Sequence, residues 1–449
     1  MDNANKFSEK QFLFFIFNYI VGFGFISTIS NVIKLGYLGI VVFFMTSIIT
    51  LSTSLVFSRL AQSYKDEYGG SYNYSKKAFN KKISFFQGWN QFIQGPILSA
   101  TSPLFIASSL EPFINNEKLM MSVRIISILI FILLVLISIQ GIRTSKKIIF
   151  ASSIIKWLVL GVGLIITFVL SIQNMQFKNN LINSTNSTTY SIFAVTLSFM
   201  YAFGGFEDVS SMSKDVETNK FRKLLLISFS AILSIYFIFF ILLNGLNLIN
   251  NFIDIYNISL GVTGIVIFIL GIIFNSVSNK ISVNIANARK IIPLSLDGYL
   301  PKILAKQNNK GEYRNAILFN AFLTITSMII FWLLPQLLNL ESFFSNVIEL
   351  GSVAFLIQYI LTLITGVVLH YKKKINIPLW ERIIYFVGIL IIFSTLLIFL
   401  IPPIVNKNWE IQNTITIVSY ASFISIGYIL IIIKWIYFKY FYNKKFNIK

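Results

Sequence analysis

The chain of 449 residues contains no cysteine and a single histidine, His370. The lack of cysteine excludes disulfides and thiolate metal sites. One histidine argues against imidazole-rich metal sites and against catalytic triads built on histidine. A phosphate-binding glycine-rich loop with its lysine is also missing. We therefore expect no metal, nucleotide or other cofactor, and no enzyme that depends on them.

Charged residues are scarce as well. They make up 12% of the chain, against 55% hydrophobic residues, and the mean hydropathy is +0.75. Soluble domains carry about 25% charged residues. The sequence therefore predicts an all-α integral membrane protein with twelve apolar runs, each near the ~20 residues that a spanning helix needs. The predicted spans are residues 12–35, 37–61, 85–110, 119–140, 148–171, 191–212, 223–250, 258–285, 315–336, 344–370, 379–402 and 413–436.

The 37 lysines and arginines are distributed unevenly between the two sides of these spans. Thirty lie in, or in the adjoining span ends of, the N-terminal stretch, the even-numbered connections and the C-terminal tail. Five lie in or next to the odd-numbered connections, and Lys156 and Lys280 lie within spans. Basic residues favour the cytoplasmic side of a membrane, so we expect both termini in the cytoplasm and a location in the cell membrane. The net charge of +20 then reflects topology and attraction to anionic membrane lipids. We expect no binding of nucleic acid.

Two predicted spans are interrupted by glycine at corresponding positions. The first reads NYIVGFGFISTIS, with Gly22 and Gly24, and the sixth reads YAFGGFEDVS, with Gly204 and Gly205. Each glycine weakens a helix by about 1 kcal/mol relative to alanine. Interrupted segments in matching positions of two halves are typical of transporters built from inverted repeats. Unwound backbone can line a polar cavity, where helix ends suit the carboxylate and the ammonium of an amino acid.

Four further stretches resemble one family. They are EYGGSYNYSKKAF followed by FFQGWNQF after span two, ANARKIIPLSLDGYLPK after span eight, IIKWLVLGVGLI in span five and FEDVSSMSKDVETN at the end of span six. With these stretches in the family's order along the chain, the chain is similar to the amino acid–polyamine–organocation (APC) permeases. The resemblance implies a LeuT-like fold of ten core helices in a five-plus-five inverted repeat, with two helices added. It also implies secondary transport of amino acids or related amines by alternating access.

The resemblance further implies a substrate site between the two interrupted spans. Tyr201 matches the aromatic gate that closes over the substrate. Phe23 departs from the family, which usually has a small residue there, so the site is expected to be narrower or reshaped. The residues that match substrate-contacting stretches are Gly22, Phe23, Gly24 and Phe25 in the first span and Tyr201, Ala202, Phe203, Gly204 and Gly205 in the sixth.

Ionisable residues inside the spans are candidates for function, because a charge in hydrocarbon is costly. Lys156 lies about nine residues into the fifth span. Burial disfavours its charged form, so we predict that it couples transport to protons or locks one state. Glu207 resembles a gating or proton-sensing acid, and Asp208 is expected to satisfy N–H groups at a helix start. Lys280 is expected to pair with one of these acids, to face the cavity and select an acidic side chain, or to lie at the cytoplasmic end of a helix shorter than the predicted span.

Three other ionisable residues receive structural interpretations. We expect Glu349 on a substrate path or at a membrane interface, and His370 at a cytoplasmic helix end. Arg289 is expected to contact lipid phosphates or a neighbouring acid. None of the three is assigned to substrate binding.

The chain is thus divided into four segments with one predicted function. Residues 1–11 form a cytoplasmic stretch, 12–370 the transport core, 371–436 two additional spans and 437–449 a basic cytoplasmic tail. The predicted function is secondary transport of an amino acid, driven by protons or by exchange. A polyamine or organic-cation permease is the alternative, and a membrane-embedded enzyme or a non-transporting sensor is less favoured. The amino acid and the oligomeric state stay open.

Overall fold

The protein is built from α-helices. The computed structural model describes residues 6–138, 142–182, 188–246, 252–308, 312–338 and 343–437. Within them the chain forms seventeen α-helices, short 3₁₀ turns and one isolated β-bridge, between Phe7 and Val216, which confirms the predicted all-α class. The helices are α1 (Glu9–Ile20), α2 (Phe23–Ile33), α3 (Tyr37–Ser63), α4 (Ser71–Ala78), α5 (Lys81–Leu98), α6 (Thr101–Leu110), α7 (Glu117–Ser138), α8 (Ile142–Asn174), α9 (Phe177–Ile182), α10 (Thr189–Phe199), α11 (Phe206–Ser210), α12 (Phe221–Asn244), α13 (Ile253–Leu296), α14 (Arg314–Leu338), α15 (Phe343–Tyr371), α16 (Leu379–Leu400) and α17 (Ile411–Tyr437).

Most predicted spans correspond to long apolar helices. Nine helices of the described residues are long and apolar enough to cross a membrane, and α1 with α2, bent by 49°, makes a tenth if the pair counts as one span. The predicted third span is divided between α5 and α6 at residues 99–100, where Pro103 cannot donate the helical hydrogen bond to the carbonyl of Ser99. The sixth is divided among α10, a 3₁₀ turn and α11. The count of twelve spans stays a prediction, and the predicted tail lies outside the described residues except for Tyr437.

The eighth predicted span was too short. The sequence predicted its end at residue 285, whereas α13 continues to Leu296. Hydropathy falls in this last part because it carries Arg289 and Lys290. Both side chains are nevertheless buried and paired with acids, so the helix can continue inside the protein. Residues 286–296, which the sequence placed in a loop, therefore lie on helix α13.

The two interrupted spans meet inside the helical bundle. Helix α2 packs against the 3₁₀ turn that follows α10, and α1 packs against α12 and α13. The longest helix, α13, packs extensively against α8, and α3 packs against α12 and α16. Ala202 and Phe203 of the 3₁₀ turn are almost completely buried. The interruptions are thus surrounded by protein, as a break in a membrane helix requires.

A buried ionic cluster joins three helices. Glu381, in the first turn of α16, is completely buried. Arg59 of α3 donates to both of its oxygens, at 2.8 Å from Nε and 2.6 Å from Nη2, and Arg222 of α12 donates to Oε1. The hydroxyl of Tyr385 donates to Oε2 at 3.1 Å. A buried carboxylate is tolerated with such partners, so this cluster fixes α16 to α3 and α12.

Replacing Glu381 with glutamine is expected to lower the free energy of unfolding by about 1.5–3 kcal/mol, because two partly buried guanidinium groups lose their charged acceptor. The measurement is the thermal unfolding midpoint of the detergent-purified protein, followed by tryptophan fluorescence. Glu410→Gln is the matched control, since Glu410 is half exposed and pairs with the exposed Lys407. Its effect is expected to stay below about 1 kcal/mol. Equal shifts in the two variants would contradict a stabilising role of the cluster.

Candidate functional site

The first interruption depends on two glycines in tight places. Gly22 has a φ of +145°, a conformation that favours glycine, and a Cβ atom there would lie 2.6 Å from the side-chain oxygen of Asn275. A Cβ atom on Gly24 would lie 2.6 Å from the backbone oxygen of Tyr201. Gly22 therefore permits the break between α1 and α2. Gly24 permits the first span to touch the sixth.

The second interruption is built in the same way. Helix α10 continues as the 3₁₀ turn Met200–Phe203, and α11 begins after Gly204 and Gly205. Gly205 has a φ of +127°, and a Cβ atom there would lie 2.7 Å from the ring of Tyr19 in α1. A Cβ atom on Gly204 would approach the ring of Phe355 to 3.0 Å. Each interruption thus lies directly against the other span.

Tyr236 of α12 connects the two interruptions. Its hydroxyl donates to the carbonyl oxygen of Ala202 at 2.9 Å and lies 3.2 Å from that of Ile20. Phe25 stacks on the Tyr236 ring with centroids 4.3 Å apart, and Phe203 packs edge-on to it at 5.1 Å. Three predicted substrate contacts (Phe25, Ala202 and Phe203) thus pack around this tyrosine. The sequence offered no signal for Tyr236, because it lies in an uninterrupted apolar run.

A cavity lies between the interruptions. Residues of α1, α2, α5, α6, α11, α13 and α15 and of the turn after α10 line it. Both acids of α11 and Lys280 of α13 are among them. The cavity is also lined by four of the nine residues predicted to contact substrate, namely Gly24, Tyr201, Gly204 and Gly205.

Glu207 is held by two hydrogen bonds. Its Oε1 accepts from the backbone N–H of Gly205 at 2.8 Å, and its Oε2 accepts from the hydroxyl of Tyr359 at 2.8 Å. The side chain is 1% exposed. The sequence assigned the N–H groups at this helix start to Asp208, and that assignment was wrong. Glu207 takes this role because the turn of the backbone at Gly205 brings the N–H within its reach.

Asp208 instead forms a buried ion pair. Its Oδ1 pairs with Nζ of Lys290, and its Oδ2 accepts from the hydroxyl of Tyr19. Lys290 is 1% exposed and also donates to the carbonyl of Gln91 at 3.2 Å. The predicted pairing of Lys280 with an acid was wrong. The sequence missed Lys290 because the predicted eighth span ended before it, although a buried acid in α11 was a signal that some cation had to lie nearby.

Lys280 has a carbonyl rather than a carboxylate as its partner. Its ammonium donates to the backbone oxygen of Ser99 at 2.6 Å and lies 5.9 Å from the ring centroid of Phe131. In the part of the chain that the structure describes, no carboxylate oxygen lies within 4.0 Å of it. Lys280 therefore brings an ammonium without an ion-pair partner to the wall of the cavity.

Lys156 of α8 lies behind the first interruption. Its ammonium donates to the backbone oxygen of Asn18 at 2.7 Å, and its side chain is 1% exposed. Because α1 ends at Ile20, this carbonyl lacks the donor that a continuous helix would supply. Lys156 and Gly22 border a second, smaller cavity. The side chain of Phe23, the remaining predicted contact, lies outside the described part of the structure.

Contacts across the bundle lie on two sides of the cavity. On the α10 side, the hydroxyls of Tyr201 and Thr101 are 2.8 Å apart. The opposite side is the end of the bundle that carries Lys76 and Lys77 of α4, here called the basic end. At the basic end, α4 and α11 both pack against α13.

Arg289 organises the contacts at the basic end. Its Nε donates to Asp215 at 3.1 Å, and its Nη2 lies 3.6 Å from Glu312. Tyr68 donates to Asp215 at 2.6 Å, and burial, followed by the charge of Asp215, raises the pKa of Tyr68 well above its usual range, so the hydroxyl stays a donor. The N–H of Phe7 donates to the Asp215 carbonyl at 2.8 Å. Of the two expectations for Arg289, the neighbouring acid is the one observed.

Two other predicted residues lie away from the cavity lining. His370 is in the last turn of α15, where its Nδ1 accepts from the N–H of Ile377 at 3.2 Å. It therefore shapes the connection to α16 at the basic end. Glu349 lies within α15, and its place on a substrate path stays a prediction.

Comparisons with known proteins identify one family and several relatives of similar length. A family model described as "Amino acid permease" matches residues 7–433. The uncharacterized protein MG225 of Mycoplasma genitalium is 36% identical over 96% of this chain and 95% of its own length. The uncharacterized protein MG226 of the same organism is 33% identical over 94% of each chain. An MG226 homolog of Mycoplasma pneumoniae, also uncharacterized, is 30% identical over 95% of this chain and 94% of its own.

Replacing Tyr236 with phenylalanine is expected to lower the free energy of unfolding by about 1–3 kcal/mol, because buried carbonyls at the interruptions lose their donor. The measurement is the thermal unfolding midpoint in detergent. Tyr428→Phe is the matched control: its ring is 40% exposed, and a surface change of this kind is expected to stay within about 0.5 kcal/mol. A Tyr236→Phe protein that unfolds at the wild-type temperature would show that its hydroxyl does not stabilise the interruptions.

Proposed function

Because the chain belongs to the amino acid permease family, we propose that it carries amino acids across the cell membrane by alternating access, as a secondary transporter. The observation that carries this proposal is the cavity between two interrupted spans, which Gly24, Gly204 and Gly205 line. Transporters built from inverted repeats use such interruptions to offer backbone groups to a substrate.

The amino acid head is proposed to bind between the interruptions. The N–H groups at the start of α2 attract a carboxylate, and the carbonyl groups at the end of the turn Met200–Phe203 attract an ammonium. Gln94 supports this arrangement. It lines the cavity, and its side-chain oxygen is buried without a hydrogen-bond partner among the described residues. A buried acceptor of this kind is suited to a substrate ammonium.

Alternating access requires that the two closures open one at a time. We assign the outer closure to Tyr201, which contacts Thr101, and the inner closure to the basic end, where Arg289 and Asp215 pair. The excess of basic residues at that end supports an orientation toward the cytoplasm, with both termini there. The same residues would contact anionic lipids.

Lys156 is proposed to couple the movement of the first span to its protonation. Its ammonium holds the free carbonyl of Asn18 from a fully buried position. Loss of the proton would remove the charge from this hydrogen bond and weaken the link between α8 and α1. Glu207, next to the second interruption, is the second candidate for gating. Energy would then come from a proton gradient or from an exchanged substrate.

The cavity supports an amino acid better than a polyamine. A polyamine needs free carboxylates for its amines, but both acids of the cavity are engaged. Glu207 accepts from Gly205 and Tyr359, and Asp208 pairs with Lys290. A polyamine would have to displace these partners.

Purified protein in proteoliposomes is expected to accumulate labelled amino acids when an inward proton gradient is imposed. Lys156→Met should abolish the effect of the gradient, because the side chain keeps its length but carries no proton. The measurement is uptake of a panel of labelled amino acids, with and without the gradient. Lys82→Met is the control, since Lys82 is exposed in the first turn of α5, and its uptake should equal that of the wild type.

Other outcomes separate the alternatives. Uptake only into vesicles preloaded with amino acid would establish an exchanger and assign Lys156 to a structural lock. Uptake of spermidine or putrescine without any amino acid would overturn the proposed substrate. Gel filtration of each variant before reconstitution shows whether a loss of uptake comes from misfolding.

A further inference from the structure

We propose that the cavity takes an amino acid with a carboxylate in its side chain, and that Lys280 binds this carboxylate. The inference rests on the proposed function, because it names the substrate class of the same site. It starts from an ammonium in the cavity wall whose partner is a backbone carbonyl.

The contact between Lys280 and Ser99 has a simple backbone cause. In a continuous helix, the carbonyl of Ser99 would accept from the N–H four residues later, but that residue is Pro103, which has no N–H. The ammonium of Lys280 replaces this donor at 2.6 Å. A neutral donor would satisfy the carbonyl equally well. The positive charge and the other two N–H donors of the lysine are therefore not accounted for by the backbone.

The acids of the cavity do not account for the charge either. Asp208 is paired with Lys290, and both oxygens of Glu207 accept hydrogen bonds from Gly205 and Tyr359. Neither carboxylate lies within 4.0 Å of the Lys280 ammonium among the described residues. A ligand carboxylate would be the first direct counter-charge for Lys280.

The place of Lys280 separates it from the groups that suit the amino acid head. The head groups come from α2, from the turn Met200–Phe203 and from Gln94 of α5. Lys280 comes from α13 and reaches the junction of α5 and α6, where Leu98 and Ser102 also line the cavity. The head would thus meet mainly the two interruptions, and the side-chain end would meet the cation of α13.

The chemistry favours a carboxylate over its amide. A hydrogen bond to a charged group is stronger than a neutral one. An amide in the same place would leave the ammonium enclosed without a counter-charge, which is costly. We therefore expect discrimination between glutamate and glutamine, or between aspartate and asparagine, which are nearly equal in size.

The test is uptake of labelled L-glutamate, L-glutamine, L-aspartate and L-asparagine by proteoliposomes of the full chain. Wild-type protein is expected to prefer one acidic amino acid over its amide by at least about 30-fold in half-saturating concentration. Lys280→Gln keeps a donor for Ser99 but removes the charge, so its ratio should fall to within about threefold, because the acid loses its counter-charge and the amide no longer leaves a charge unpaired. Lys280→Arg should retain a preference for the acid, because it retains the charge.

Each contrary result has a distinct meaning. Equal uptake of an acid and its amide by the wild type would overturn this inference and leave the proposed function intact. An equal loss of all four substrates in a monodisperse Lys280→Gln protein would also overturn it, since Lys280 would then serve the head or the fold. Absence of uptake for every amino acid of the wider panel would overturn the proposed function itself. Lys82→Met again serves as the surface control.

Discussion

Backbone groups that a membrane helix leaves unpaired have to find partners inside the protein, because hydrocarbon offers none. The centre of this structure follows from that constraint. Tyr236 reaches carbonyls of both interruptions, Lys156 reaches the carbonyl of Asn18, and Lys280 reaches the carbonyl that Pro103 leaves free. Side chains that look functional by their charge thus also complete the backbone. A polar residue in a span is therefore best interpreted together with the nearest break in a helix.

The closure at the basic end depends on two neighbouring residues of one helix. Arg289 and Lys290 of α13 pair with Asp215 and Asp208, which lie beyond and within α11. The short helix is therefore fastened to α13 on both sides. An opening between α11 and α13 has to separate these pairs or carry them along. Discrete contacts of this kind suit a switch between two packed arrangements.

Much of this centre was visible in the sequence, and the failures have identifiable causes. The glycines of both interruptions and the depth of Lys156 are local features, and the structure places them where the interrupted spans meet. The N–H group at the start of α11 was assigned to Asp208 instead of Glu207, because adjacent residues cannot be distinguished without the turn at Gly205. Lys290 was overlooked because hydropathy ended its span at residue 285, although α13 continues to Leu296.

The sequence by itself determined the all-α membrane class, most of the span positions and the two interruptions. These properties depend on composition over about 20 residues and on glycine at particular positions, and neither needs knowledge of distant contacts. Only the tertiary structure decided which charges pair and which carbonyl each lysine meets. Such choices depend on distances of a few ångströms between helices far apart in the chain, and a hydropathy pattern is the same whichever acid a lysine contacts. Only the tertiary structure showed that the Lys280 ammonium lies beside the cavity with no carboxylate within 4.0 Å among the described residues.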